Sequence, residues 1–423
     1  MNRLAVILLS LGVLTGTAYA QQGASAVVEG AGVKVGEGTV IHPIIGIETG
    51  VIQNVFYEQS DAEVAGVMRI IGQLAVGSLP AERMQMPDEQ SPETQNFGDF
   101  AFRAEAYLQY DEYLSSNESI RAQRGLSAHL MGRGLVFPKN TWQFGFADEF
   151  SRTIRPVNFE SADDTDRIVN ALSLELRYRP KGRTLSGSLS YSNVIDYFED
   201  DDQHFANRIS HRAGLNVRYQ WLPVTRLFGD VTLGYVGPFG QDSTRPTSYP
   251  LKAVVGIASA ITIKTSINAR VGFGKGFYSD TDFTNIIGGI QLGYRFSPEL
   301  RFALMYDYDF HDSINANFYR DHALKFRSDY RRNKVTIFGG TEVRFRSYRQ
   351  VIPEAMGSTA DRDDLIFGIG AGAIFNFKDW IAATIDYTLA IDKTDFRYMA
   401  ETGVLDDPSY VRQSVFAGVR AAY

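Results

Sequence analysis

Cysteine is absent from the 423 residues, so neither a disulfide framework nor a thiolate metal site is available to the fold. Long apolar runs are also missing. Beyond the first 20 residues nothing approaches the roughly 18 consecutive apolar residues of a helical bilayer span. A chain of this kind enters a membrane only as a closed barrel, in which every backbone group is paired. Histidine is scarce, and His42, His129, His204, His211, His311 and His322 show neither His-x-x-x-His spacing nor a cysteine partner, which argues against a metal centre. A basic excess is lacking. The formal net charge is -7, and much of it sits in three predicted loops, Asp163 to Asp166, Glu199 to Asp202 and Asp361 to Asp364, so nothing points to nucleic acid. Those acidic loops also lack the ligand spacing of a calcium loop. No linker, composition shift or low-complexity stretch divides the chain, and one continuous architecture is the simpler reading.

What is present begins with Met1 to Arg3 as a positive start, Leu4 to Leu14 as an apolar stretch and Ala18-Tyr19-Ala20 as a small-x-small site. This pattern predicts a secretory signal peptide over residues 1–20, cleaved near Ala20. Residues 21–38 are small and Gly-rich, a short N-terminal segment without periodicity. The predicted barrel domain covers 39–423. Its first hairpin pairs Thr39 to Val55 with Glu63 to Ser78.

From Phe100 onward apolar and polar residues alternate with the two-residue period of a strand. Leu215, Val217, Tyr219 and Trp221 oppose Asn216, Arg218 and Gln220. Phe302, Leu304, Tyr306, Tyr308 and Phe310 oppose Arg301, Met305, Asp307, Asp309 and His311. The patterns persist for about 10 residues, the length a tilted strand needs to cross a bilayer, whereas strands of soluble sheets average about 5 or 6. Tight turns, such as Pro138 to Asn140 and Leu222 to Thr225, alternate with longer polar loops, such as Ser151 to Asp166 and Arg349 to Asp364. That alternation predicts an all-β fold, a transmembrane antiparallel up-and-down barrel of about 18 strands, with about 16 as the fallback. A barrel of that size holds water. Tyr178, Tyr219, Trp221, Tyr294, Phe296, Trp380 and Tyr423 flank the short turns, where an interfacial aromatic girdle is expected. The segment Leu79 to Asn96 has no apolar pattern and reads either as an insertion or as a docking site for a periplasmic partner.

The strand register places charge of both signs in the lumen. The candidate pore-lining residues are Arg177, Arg218, Arg270, Arg295, Arg301, Asp307, Asp309, Arg327, Glu342, Arg344, Arg346, Asp386, Arg412 and Arg420. Arg344 and Arg346 near Arg327 form the densest basic stripe. Such a stripe either favours anionic cargo or belongs to a lattice of ion pairs that solvates the wall. Two glycine triplets, Gly272/Gly274/Gly276 and Gly368/Gly370/Gly372, leave side-chain-free tracks on the inner face. Neither precedes a helix, so no nucleotide loop is read there and no cofactor is expected. Asp309 and His311 could polarise a water, but no activated serine stands beside them, so an enzyme is the least favoured reading.

The last strand, Val411 to Tyr423, puts Val411, Val415, Val419 and Tyr423 on one face and ends on an aromatic residue. It resembles the closing strand of bacterial outer-membrane barrels, which implies that the barrel-assembly machinery reads it. With Pro43 to Gly50, Asn54 to Phe56 and the Tyr-rich hairpins, the chain resembles the outer-membrane β-barrel porin family, in particular barrels that accompany polysaccharide-export systems. The resemblance implies an outer membrane of a Gram-negative bacterium, surrounding lipid and lipopolysaccharide, and a channel for hydrophilic cargo such as a secreted polysaccharide delivered by a periplasmic export partner. The alternative is a general diffusion porin for small anionic solutes, with Arg349 to Asp364 as the loop best placed to fold inward.

Overall fold

Alternating side chains commit each strand to one apolar and one polar face, and the chain can bury neither edge nor apolar face except by closing on itself. The computed structural model describes residues 32–35, 38–78, 98–154, 166–182, 184–244, 246–278, 282–313, 316–351, 362–399, 405–406 and 408–423. The predicted signal peptide, most of residues 21–38, the Leu79 to Asn96 segment and the centre of the Arg349 to Asp364 loop lie outside the described residues.

Eighteen long antiparallel strands close into a barrel. They are β1 (Thr39–Gln53), β2 (Val64–Ser78), β3 (Phe100–Leu114), β4 (Gly125–Val136), β5 (Trp142–Thr153) and β6 (Arg167–Tyr178). Next come β7 (Leu185–Phe198), β8 (Arg208–Leu222), β9 (Thr225–Pro238), β10 (Ser248–Ala260), β11 (Thr265–Tyr278) and β12 (Asp282–Arg295). The wall ends with β13 (Leu300–Asp312), β14 (Ala316–Arg332), β15 (Val335–Val351), β16 (Arg362–Lys378), β17 (Ile381–Thr394) and β18 (Tyr410–Ala422). Each pairs with its sequence neighbours, and β1 and β18 complete the ring in register from Ile44↔Ala422 to Gln53↔Gln413. The larger of the two expected strand counts is the one found, because the weakly patterned first hairpin and the segment containing Lys252 both form wall strands. Additions to the expected plan are a strand at Val33–Val35 that folds back on the start of β1, a one-turn helix at Glu118–Ala122 and a small hairpin of Tyr398–Met399 with Leu405–Asp406.

Strands of 12 to 17 residues exceed the roughly 9–11 that cross a bilayer, so the wall projects beyond it. At one end the connections are tight, apart from that between β2 and β3. The Arg332 to Val335 turn places Asn333 at φ 52°, a left-handed conformation that asparagine tolerates better than most residues. The other end carries the long loops.

The outer face is apolar. Ile45 is 67 % exposed and Val255 64 %, and Leu215, Val217, Val415 and Val419 continue the belt. At its short-turn edge lie Trp142, whose ring is 4.9 Å from Tyr178, and the exposed Tyr219, Trp221, Tyr294, Phe296, Trp380 and Tyr423. A second row borders the long-loop edge, running Tyr191, His211, Tyr235, Tyr249 across β7 to β10, with Tyr191 Oη bonded to His211 Nδ1 at 2.8 Å. Two aromatic rows bounding an apolar belt are the features of a bilayer-spanning barrel.

Candidate functional site

The inner wall is a lattice of ion pairs, because the two-residue period sets inward charges beside one another along a strand as well as across the ladder. Arg177 meets Glu175 at 2.6 Å, and Arg270 meets Asp307 at 2.6 Å. Arg327 meets Asp329 at 2.9 Å, and Lys325 meets Glu342 at 3.1 Å. In the densest basic stripe Asp321 of β14 stands between two arginines, 3.1 Å from Arg344 and 2.8 Å from Arg346. Arg344 also pairs with Glu342. Arg346 lies flat over the Tyr319 ring at 3.9 Å and is 4 % exposed. These two guanidiniums are therefore wall structure, enclosed by carboxylate and ring. Arg420 and Glu48 form a buried pair at 2.7 Å where the barrel closes. Arg69 extends it, reaching Glu48 at 3.5 Å and Asp111 at 2.9 Å. Asp386 faces the same sector and packs against Gly372. Arg412 donates to Tyr57 Oη and covers its ring.

The short-turn end differs. Arg103 faces Arg133 and Arg295 faces Arg301 in cross-strand register, while Arg177, Arg179 and Arg218 line one recess with Glu175. Like charges set opposite one another repel. With Arg226 and Arg327 these residues make an arginine collar at that mouth, in which Arg103, Arg177 and Arg327 meet Glu105, Glu175 and Asp329.

Among the described residues two segments narrow the long-loop end from within; the centre of the Arg349 to Asp364 loop, the constriction expected from the sequence, lies outside those residues. The turn after β1 folds inward, so that Val55 and Tyr57 are buried; Asn54 Nδ2 donates to the Val411 carbonyl at 3.0 Å. Ile120 of the short helix packs with Ile52, Val67, Tyr113 and Phe416 in the same cluster. On the opposite wall the tip of the β13–β14 hairpin leaves its neighbour. Register between β12 and β13 runs only from Arg295↔Arg301 to Gly288↔Tyr308, whereas β11 holds β12 as far as Phe277↔Asp282. Phe310, which alternation assigns to the outer face, is instead 0 % exposed. Its ring lies against Gly274, edge-on to Phe283 at 4.7 Å, with Lys252 Nζ 4.4 Å from the ring centre. Phe283 in turn stacks on Phe318 at 3.9 Å and packs over Gly276. Of the two expected glycine tracks, the one at Gly272 to Gly276 is thus occupied: Gly274 and Gly276 are seats for rings, and a Cβ at either would fall within 2.4 Å of one.

Asp309, with His311 the basis of the enzymatic alternative, is held by Lys252 at 2.8 Å and by the Phe310 backbone N–H at 2.8 Å. The His311 ring packs beside Tyr319. Sequence reasoning passed over Lys252, Tyr278 and Asp312, which the bend of β13 brings to one place, and Asp321, which meets Arg344 and Arg346 across the β14–β15 ladder. Among the described residues no helix is long and apolar enough to cross a membrane, and no group of three or more His, Cys, Asp or Glu is placed to hold a metal ion.

No family model matches the chain, and no curated protein does. Among solved structures it is similar to OpdK of Pseudomonas aeruginosa with vanillate, at 8 % identity over 90 % of this chain and 99 % of that one, TM-score 0.46. It is also similar to the FrpB iron transporter of Neisseria meningitidis, at 8 % identity over 90 % and 81 %, TM-score 0.47. A third is OccK5 (OpdH) of Pseudomonas aeruginosa, at 10 % identity over 90 % and 98 %, TM-score 0.45. At these values the likenesses carry neither family nor function to this chain, and the barrel stands on its own hydrogen-bond ladder.

Proposed function

We propose that the chain is an outer-membrane channel for small hydrophilic solutes, with anions favoured. The observation that carries the reading is the arginine collar inside a closed barrel whose outer face is apolar. An 18-strand wall is wide enough for an aqueous lumen, and a mouth with more arginine than carboxylate raises the local concentration of anionic solutes. Polysaccharide export rests on the sequence resemblance alone and gains nothing from the comparisons; the buried segments at the long-loop end suit small cargo better than a polymer. Hydrolysis is not supported either, since Asp309 is tied to Lys252. Lipid and lipopolysaccharide are the proposed surroundings of the apolar belt, and the outward Tyr423 is the proposed signal to the assembly machinery.

Two measurements test this. In planar bilayers under a KCl gradient the reversal potential should report chloride over potassium, and Arg295→Gln/Arg301→Gln should move it toward zero. Cation preference in the wild type would refute the anionic reading. The membrane itself is tested at Val255, exposed in the middle of β10. Val255→Arg should destabilise the lipid-embedded barrel by about 2–4 kcal/mol, whereas an unchanged urea midpoint would mean that this face does not meet hydrocarbon.

A further inference from the structure

Inside a lumen where most charges pair along the wall, the hairpin tip carries two carboxylates across to strands that are not its neighbours. Asp309 accepts from Lys252 Nζ at 2.8 Å, and the same ammonium bonds the Phe310 carbonyl at 2.7 Å. Asp312 Oδ1 accepts from both Ser248 Oγ at 2.8 Å and Tyr278 Oη at 2.9 Å, while its carbonyl lies 3.5 Å from Arg208 Nη1. Ser248, Lys252, Tyr278 and Arg208 share the inner-face parity of β8, β10 and β11, as their outward neighbours Tyr249, Val255 and Phe273 show. To reach them β13 gives up pairing with Asp282 to Ile287 of β12. The wall therefore loses backbone hydrogen bonds that the inward contacts must offset.

An ammonium and two hydroxyl donors converging on carboxylates make a carboxylate site. We propose that Ser248, Lys252 and Tyr278 form a lumen site for carboxylate-bearing solutes, and that Asp309 and Asp312 occupy it as an internal stand-in. The inference rests on the channel reading above. A solute carboxylate competes for the same donors, and its entry frees the tip to return toward β12. Ladder bonds lost at the wall and ion pairs gained in the lumen oppose each other, and a ligand that binds the freed donors shifts that balance.

Succinate is the probe, applied to the full-length barrel in planar bilayers carrying chloride current, with heat-modifiable electrophoretic mobility confirming that each variant is folded. Asp309→Asn/Asp312→Asn removes the competitor and should lower the half-blocking succinate concentration about fivefold; Lys252→Gln should raise it by about the same factor, and Lys252→Arg should restore it. Folded variants that all block at the wild-type concentration overturn the proposal. A wild-type barrel passing no chloride would instead remove the channel reading, so the two failures are distinct.

Discussion

Two seams of the wall contradict intuition about sequence distance. β1 and β18 lie at opposite ends of the chain, yet they stay in register from Ile44↔Ala422 to Gln53↔Gln413. β12 and β13 are joined by a tight turn, and they separate above Gly288↔Tyr308. The difference follows from where side chains find partners. At the closing seam Glu48 and Arg420 reach across at 2.7 Å, Gly418 lets the Glu48 stem lie flat, and Gly50 receives the Phe416 ring. At the other seam the partners of Asp309 and Asp312 lie on β10 and β11, which pull the strand off the wall. A ladder persists only while its side chains agree with it.

The largest expected effect is at the closing seam. Arg420→Met leaves the carboxylate of Glu48, 3 % exposed, to Arg69 at 3.5 Å. Removing one partner of a buried pair costs about 3 kcal/mol, while Glu48→Leu/Arg420→Met should recover more than half of that loss. Urea unfolding in lipid vesicles followed by tryptophan fluorescence reads both. Gly418→Val ranks next, at about 2 kcal/mol from overpacking, because a Cβ there would lie 2.4 Å from the Ile47 carbonyl oxygen and 2.5 Å from Glu48 Cγ. Gly72→Ala, where a Cβ meets nothing within 4 Å, is the control and should be neutral to about 0.5 kcal/mol stabilising. Equal effects of the two glycine substitutions would mean that close approach does not hold the closing seam.

The regular part of this contrast is legible in the sequence. A two-residue period over Leu215 to Trp221, the tight turns and the terminal Val411 to Tyr423 strand carry register and closure together, because a one-residue slip would turn every apolar side chain into the lumen. The bend is not legible. Phe302 to Phe310 is the most regular alternation in the chain, and a period cannot report that its last ring is better placed on Gly274 than on lipid. Nor do the candidate arginines reveal their state, since Arg344 and Arg346 are enclosed by Asp321, which sits opposite Arg346 on the adjoining strand and which its own pattern does not single out. Whether a lumen charge meets solute or carboxylate depends on which side chains the strand and its ladder set beside it. Only the assembled wall fixes it.

The smallest expected effect sits where the second seam opens. Asn285 Nδ2 donates to Tyr308 Oη at 2.6 Å, while the Tyr308 ring stacks on His322 at 4.0 Å, so one hydroxyl bridges the strands just above their last paired residues. Tyr308→Phe keeps the stack and deletes the bridge. The cost should be about 1 kcal/mol or less, a single neutral hydrogen bond near the rim. Its signature is local: amide hydrogen exchange should accelerate over Asp282 to Ile287, whose edge toward β13 has no ladder partner, and stay unchanged over Ile45 to Val51 at the closing seam. Uniform acceleration at both seams would show that the upper end of β12 is held by the barrel as a whole, leaving no role for a bridge at its root.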